Sequence, residues 1–130
     1  GLSGKDTSLI VCEQTHADLG FVGTPVAVNP EILRDLHAAH AIPVIAPLGM
    51  GRGGETFNIN GDTAAGAIAG ALKADRLLLL TDVEGVKDKS GEVLTEIAPT
   101  AIPGQSDDGT IARGMLCHRA SSVNACCLML

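Results

Sequence analysis

Three polar residues at alternate positions, Asn58, Asn60 and Asp62, stand directly before a run of small apolar residues. Thr81 and Asp82 stand directly behind a run of leucines. The first set fits a helix entrance. Asp62 is a good N-cap or first-turn acid, because its negative charge is favoured at the positive end of the helix dipole. The helix is expected to begin at Gly61 or Asp62, and the backbone N–H groups of its first turn suit an anion such as a phosphate. The second set fits a ligand loop, since polar residues just past the carboxyl end of a parallel strand are where ligands sit in open α/β sheets. A capping aspartate alone is usually structural. The ordered set is far more specific, because loop, helix, strand, loop is half of a nucleotide-binding α/β unit.

The elements that must hold these residues follow from the apolar pattern. Residues 63–72 are nearly all Ala, Gly, Ile or Leu, which predicts a helix to Lys73 buried on most sides, with Gly66 and Gly70 admitting another backbone. The four leucines at 77–80 predict a strand covered on both faces and central in its sheet. Upstream, residues 9–12 and 20–23 predict two short strands joined as a hairpin by the polar residues 13–19. Val28 ends a further strand segment. Asn29 as cap and Pro30 in the first position then open a helix whose Ile32, Leu33 and Leu36 form one apolar stripe, up to His40. Residues 42–46 predict a buried strand, with Pro43 marking its start or an edge. Gly49-Met50-Gly51-Arg52-Gly53-Gly54 invites comparison with a phosphate cradle. It lacks the closing Gly-Lys-Ser/Thr and no long helix follows directly, so it reads as a mobile hairpin tip with Arg52 as its one cation. Residues 88–91 predict a tight turn with 92–94 returning. Pro99 and Pro103 interrupt any helix beyond, at about 3 kcal/mol for a proline in a helix interior.

Composition bounds the function. The 130 residues are one domain's worth of chain, and 45% hydrophobic content excludes a disordered segment. No apolar run approaches the ~20 residues of a membrane-spanning helix, so no membrane partner is expected. Phe21 and Phe57 are the only aromatic residues, which makes the core aliphatic and removes stacking platforms for bases. A net charge of −6 argues against a nucleic-acid surface, while backbone amides and a few cations suffice for a phosphate ligand. Cys12, Cys117, Cys126 and Cys127 have no C-x-x-C spacing, and adjacent Cys126 and Cys127 pair only under strain. The chain opens in a polar segment without the pattern of a leader peptide, so free thiols in the cytoplasm are expected. His37 and His40 lie three apart on the expected helix and face solvent without a third ligand, and no metal site is expected.

Six ordered motifs carry a family resemblance. Asn58-Ile59-Asn60-Gly61-Asp62-Thr63-Ala64-Ala65-Gly66 resembles the N-[IV]-N-A-D-x-[AV]-A signature of the acetylglutamate kinases, within the amino acid kinase family. Leu79-Leu80-Thr81-Asp82-Val83-Glu84-Gly85-Val86 resembles that family's nucleotide loop. Gly1-Leu2-Ser3-Gly4-Lys5-Asp6, Asp18-Leu19-Gly20-Phe21-Val22-Gly23, Val28-Asn29-Pro30-Glu31-Ile32-Leu33 and Ile42-Pro43-Val44-Ile45-Ala46-Pro47 agree in the same order. The match is close over residues 1–96 and patchy afterwards. It implies an α/β fold, a three-layer αβα sandwich with a mainly parallel sheet, here incomplete and the middle of a longer protein. Residues 1–60 would end the substrate-binding half and 61–130 would form part of the nucleotide-binding half. The implied activity is phosphorylation of the γ-carboxylate of N-acetyl-L-glutamate by ATP with Mg²⁺, in arginine biosynthesis, by a cytoplasmic homo-oligomer. The N-I-N-x-D spacing and the Phe-Val-Gly segment favour this over a carbamate or glutamate kinase.

A carboxylate acceptor is ionised near neutral pH, so the reaction needs no general base. It needs positioning and cations that meet the charge spreading over the moving phosphoryl group. The resemblance assigns Asn58 and Asn60 to the acetylglutamate, and an asparagine can both donate to and accept from an amide and carboxylates. It makes Asp62 the organiser of the cations and amides around the phosphoryl group. It gives the nucleotide to Thr81, Asp82, Val83, Glu84, Gly85, Val86 and Lys87, with Thr110, Ile111 and Ala112. Asn58, Asp62 and Asp82 are expected to converge on one cleft. Relatives carry Ala at the place of Gly61. Their first catalytic lysine, a Gly-Gly pair and an arginine fall upstream of Gly1, and their second lysine falls at His118, next to Arg119. Histidine is largely neutral at pH 7, and Arg119 would point about 100° away on a helix. The chain alone is therefore expected to be weak or inactive as a kinase. The alternative is a non-catalytic nucleotide-binding or interaction module of the same fold.

Overall fold

The computed structural model describes residues 1–80, 90–95 and 97, with the backbone of Ala125–Cys127. Its strands are β1 (Leu2–Ser3), β2 (Ile10–Gln14), β3 (Gly23–Val28), β4 (Ile45–Ala46), β5 (Leu48–Met50), β6 (Thr56–Asn58), β7 (Leu77–Leu78) and β8 (Ala125–Cys127). Its helices are α1 (Glu31–Ala38) and α2 (Gly61–Leu72), and short 3-10 turns occupy Asp6–Ser8 and Ala17–Leu19. The chain is α/β, with parallel pairing of β1 with β4, β2 with β5 and β7 with β8.

The expected hairpin is present. β2 and β3 run antiparallel from the pair Ile10–Val28 to the pair Gln14–Gly23, with a bulge between Val11 and Cys12. Its second strand begins where residues 20–23 were expected to end. Gly20 sits at φ +63° and closes the 3-10 turn, so those residues lead into the strand instead of forming it. Pro25 is tolerated because β3 ends the order β3-β2-β5-β6. The glycine-rich segment is a hairpin tip between antiparallel β5 and β6. Gly51 N–H donates to the Glu55 carbonyl at 2.9 Å, and Gly53 N–H donates to the Glu55 carboxylate at 3.0 Å. The tip's amides thus serve its own turn. Arg52 pairs with Glu13 at 3.4 Å, and both are exposed, so the pair contributes little to stability.

The outer edge of β6 is closed by the chain entering β3. Asn58 N–H donates to the Phe21 carbonyl at 2.8 Å, and Val22 bridges to Asn58. The strands therefore curl into a ring. Gly23 makes this possible, because a Cβ there would stand 2.6 Å from the Cβ of Phe57. The core is aliphatic, as the composition requires: Leu9, Ile10, Cys12, Leu33, Phe57, Ile59, Ala64 and Ile68 form one buried cluster. Burial pushes the Cys12 thiol up, which keeps it protonated and unreactive. α1 starts at Glu31, with Pro30 at the cap and the Asn29 side chain accepting from Glu31 N–H at 3.3 Å. Leu33 is its buried contact, flanked by half-buried Ile32 and Leu36.

Two expected strands are shorter and more exposed than their sequences suggest. Of residues 42–46 only Ile45–Ala46 pair, with β1, while Ile42 is 83% and Val44 70% exposed. Pro43 has no N–H to give, and among the described residues β1 is the one strand that pairs with β4. Of residues 77–80 only Leu77–Leu78 form a strand, in a two-stranded ladder with β8. Leu77 is buried against α2, but Leu80 is 93% exposed. The run is therefore not central or covered on both faces among the described residues. An apolar run specifies a surface that needs cover, and the cover itself comes from elsewhere in the sequence. No helix of the described residues is long and apolar enough to cross a membrane.

Candidate functional site at the entrance of α2

The pleat of β6 separates its two faces. Phe57 is buried, while Thr56 and Asn58 are exposed on the opposite face. The strand ends where Ile59 turns back into the core and donates its N–H to the Pro47 carbonyl at 2.9 Å. Asn60 follows with extended backbone (φ −59°, ψ 131°) and forms the N-cap of α2. Its side-chain oxygen accepts from Thr63 N–H at 3.1 Å and from Thr63 Oγ1 at 3.3 Å, and its carbonyl accepts from Ala64 N–H at 2.9 Å. The helix starts at Gly61, as expected, but Asn60 is its cap. Asp62 lies exposed in the first turn, where its charge meets the positive end of the helix.

Asn58, Asn60 and Asp62 thus occupy one short exposed path from the end of β6 into α2. α2 ends at Lys73, which adopts the left-handed conformation (φ 54°) and donates its N–H to the Ala69 and Gly70 carbonyls. No backbone approaches Gly66 or Gly70 among the described residues: a Cβ at either would meet nothing within 4 Å. Among the described residues, buried Ala64, Ile68 and Ala69 carry the packing of the helix. His37 and His40 are both exposed. Thr81, Asp82, Val83, Glu84, Gly85, Val86, Lys87, Thr110, Ile111, Ala112 and His118 lie outside the described residues, and so does the expected meeting of Asp82 with Asn58 and Asp62.

One residue near the site is not singled out by the sequence. Lys5 Nζ donates to Thr56 Oγ1 at 2.6 Å, which brings a cation to the polar face of β6. Its position in Gly4-Lys5-Asp6 carries no sign of this, because the partner is 51 residues away.

The cap gives a direct test of which role Asn60 plays. Asn60→Ala is expected to lower stability by about 1 kcal/mol in urea unfolding, and Asn60→Ser to restore most of it, because serine caps nearly as well. Equal stability of the alanine and serine variants would remove the cap as the reason for asparagine at this position.

Comparison with known proteins now bears on this arrangement. The model of the amino acid kinase family matches residues 1–121. The acetylglutamate kinase of Ruegeria pomeroyi is 64% identical over 96% of this chain and 44% of its own length. That of Paracoccus denitrificans is 60% identical over 96% of this chain and 41% of its own. A solved Streptococcus mutans protein superposes with a TM-score of 0.78 at 31% identity, covering 88% of this chain and 48% of that one. The N-acetylglutamate synthase of Neisseria gonorrhoeae, solved with coenzyme A and L-arginine, superposes with a TM-score of 0.67 at 25% identity, covering 86% and 26%. The chain spans less than half the length of these relatives.

Proposed function

This chain belongs to the amino acid kinase family, and from that premise we propose that it is part of a kinase acting on N-acetyl-L-glutamate with Mg·ATP as the second substrate. An oxygen of the γ-carboxylate attacks the γ-phosphorus of ATP, the bond to the β-phosphate oxygen breaks, and the products are an acyl phosphate and ADP. The observation that carries this reading is the exposed Asn58–Asn60–Asp62 path at the entrance of α2, in a chain 60–64% identical to acetylglutamate kinases over nearly all its length.

The roles are those the motif resemblance implies. Asn58 offers both donor and acceptor to the acetamido group and carboxylates of the substrate. Asn60 binds at the same mouth and, through its cap, fixes the turn that presents Asn58. Asp62 organises the cations and amides that surround the transferring phosphoryl group. Thr81 to Lys87 and Thr110 to Ala112 wrap the nucleotide, whose Mg²⁺ arrives with it. Residues 1–60 then complete the acceptor-binding half and 61–130 contribute to the nucleotide half. The whole protein is read as a cytoplasmic homo-oligomer of arginine biosynthesis with no nucleic-acid partner. The support for these assignments is the family membership, the relatives and the motif resemblance.

The test places residues 1–115 in the Ruegeria pomeroyi acetylglutamate kinase, in exchange for the matching residues. Acyl phosphate is trapped with hydroxylamine while ADP release is followed. N-acetyl-L-glutamate is expected to support turnover, and L-glutamate or bicarbonate with ammonia to support none above background. A graft that binds ATP but phosphorylates no acceptor would favour the non-catalytic module.

A further inference from the structure

Asn60 is the one asparagine of this chain that is followed by glycine, and we propose that the Asn60–Gly61 pair is a site of spontaneous covalent modification gated by the cap of α2. The Gly61 amide nitrogen, after losing its proton to base, attacks Cγ of the Asn60 side chain. A C–N bond forms, the bond from Cγ to the side-chain nitrogen breaks, and ammonia leaves with a proton returned from solvent. Water then opens the five-membered ring at either carbonyl. The product is an aspartyl residue, or an isoaspartyl residue in which the main chain runs through the side chain.

The neighbours of each asparagine favour this step at Asn60 alone. Gly61 has no Cβ to crowd the attacking nitrogen, and nothing lies within 4 Å of where one would stand. Asn29 is followed by Pro30, which has no N–H to give up. Asn58 is followed by Ile59, which is β-branched and buried. Asn124 is followed by Ala125, which carries a Cβ.

The fold supplies both the nucleophile and its restraint. Asn60 and Gly61 are exposed, so base and water reach them. Gly61 is the first residue of α2, where an N–H has no intrahelical carbonyl to bond. Against this, the Asn60 side-chain oxygen is held by Thr63 N–H at 3.1 Å and by Thr63 Oγ1 at 3.3 Å, on an extended backbone with ψ 131°. Ring closure requires the side chain to leave Thr63 and the Cα–C bond of Asn60 to turn, which undoes the start of α2. A cap of about 1 kcal/mol corresponds to about fivefold protection. An aspartyl product still caps the helix, and its charge suits the positive helix end. It also sets a new negative charge between Asn58 and Asp62, on the path assigned above to a doubly anionic acceptor. That consequence rests on the acetylglutamate reading, whereas the modification itself does not.

The graft of residues 1–115 is incubated at mildly alkaline pH, folded and in urea, and its tryptic peptide from Gly53 to Lys73 is followed by mass spectrometry. The mass gain of an NH2-to-OH exchange is expected at Asn60, with Asn58 in the same peptide unchanged. Conversion should be at least about fivefold faster in urea, where the cap is gone. Gly61→Ala should suppress most of it in both states. Asn60→Asp, which makes the aspartyl product by substitution, should keep the urea midpoint and raise KM for N-acetyl-L-glutamate roughly tenfold or more, with KM for ATP unchanged. No conversion at Asn60 in urea, equal rates in the Gly61→Ala graft, or equal rates in the folded and unfolded graft overturns the proposal. Conversion and gating as expected, with acetylglutamate kinetics unmoved in Asn60→Asp, upholds the modification site and overturns the acceptor role of Asn60.

Discussion

Lengthening the graft from residue 115 to residue 119 should lower kcat by about 10²–10³, and His118→Lys in the longer graft should restore it. The reaction joins two anions, and its barrier falls when fixed cations meet the charge on the moving phosphoryl group. The family resemblance implies a lysine three residues after the Gly-Met pair, and the shorter graft keeps the relative's own residue there. In the longer one His118 takes that place, with Arg119 beside it. An imidazole, largely neutral near pH 7, gives a weaker field than an ammonium, and Arg119 stands one position away from the expected lysine. Residues 1–130 assayed alone should be slower still, because they span 44% of the Ruegeria pomeroyi enzyme and lack the upstream lysine, glycine pair and arginine of the family resemblance. The readout is acetylglutamate-dependent ADP release under saturating Mg·ATP. Equal kcat in the two grafts would mean that the family's second lysine does not fall at position 118.

Gly4→Val should be the most damaging small substitution in the described region, at about 3 kcal/mol or more. Gly4 is buried, and a Cβ there would run into the Leu48 carbonyl oxygen and within 2.8 Å of the Ile10 side chain. Ile10 has a tip that can rotate. The Leu48 carbonyl belongs to the backbone of β5, paired with Asn58 on β6, and moving it breaks the ladder. Urea unfolding of the graft should show a lower midpoint with unchanged slope. Gly61→Ala is the matched control: a Cβ at the start of α2 meets nothing within 4 Å, so the change should be neutral or stabilising by up to ~1 kcal/mol. A Gly4→Val protein as stable as the control would show that the contact with Leu48 is not tight.

The parts of the fold legible in the sequence are those fixed by near neighbours. The β2–β3 hairpin, the stripe of α1 and the start of α2 at Gly61 each depend on residues within one or two turns of one another. Residues 42–46 and 77–80 misled because hydrophobicity records a need for cover and not its source. Ile42, Val44 and Leu80 are exposed despite their apolar character. The sequence pattern points to Asp62 as the cap or first-turn acid and not to Asn60, which is the cap. The choice is made by Ile59, whose burial ends β6 and sets the extended backbone of Asn60. Of the site, Asn58 and Asp62 were read from the motif and lie on one exposed path. Lys5 was illegible because its partner is distant in the chain.

The closure of the strand ring at Asn58 carries a thermodynamic consequence. The main chain of this residue clasps Phe21, while its side chain is the one assigned to the acceptor. A ligand that binds only the clasped form adds its binding free energy to the clasp, about 2.7 kcal/mol at a hundredfold excess over Kd. By the same linkage, whatever loosens residues 21–23 weakens affinity without touching the ligand. The acceptor and the residues leading into β3 are then two handles on a single equilibrium.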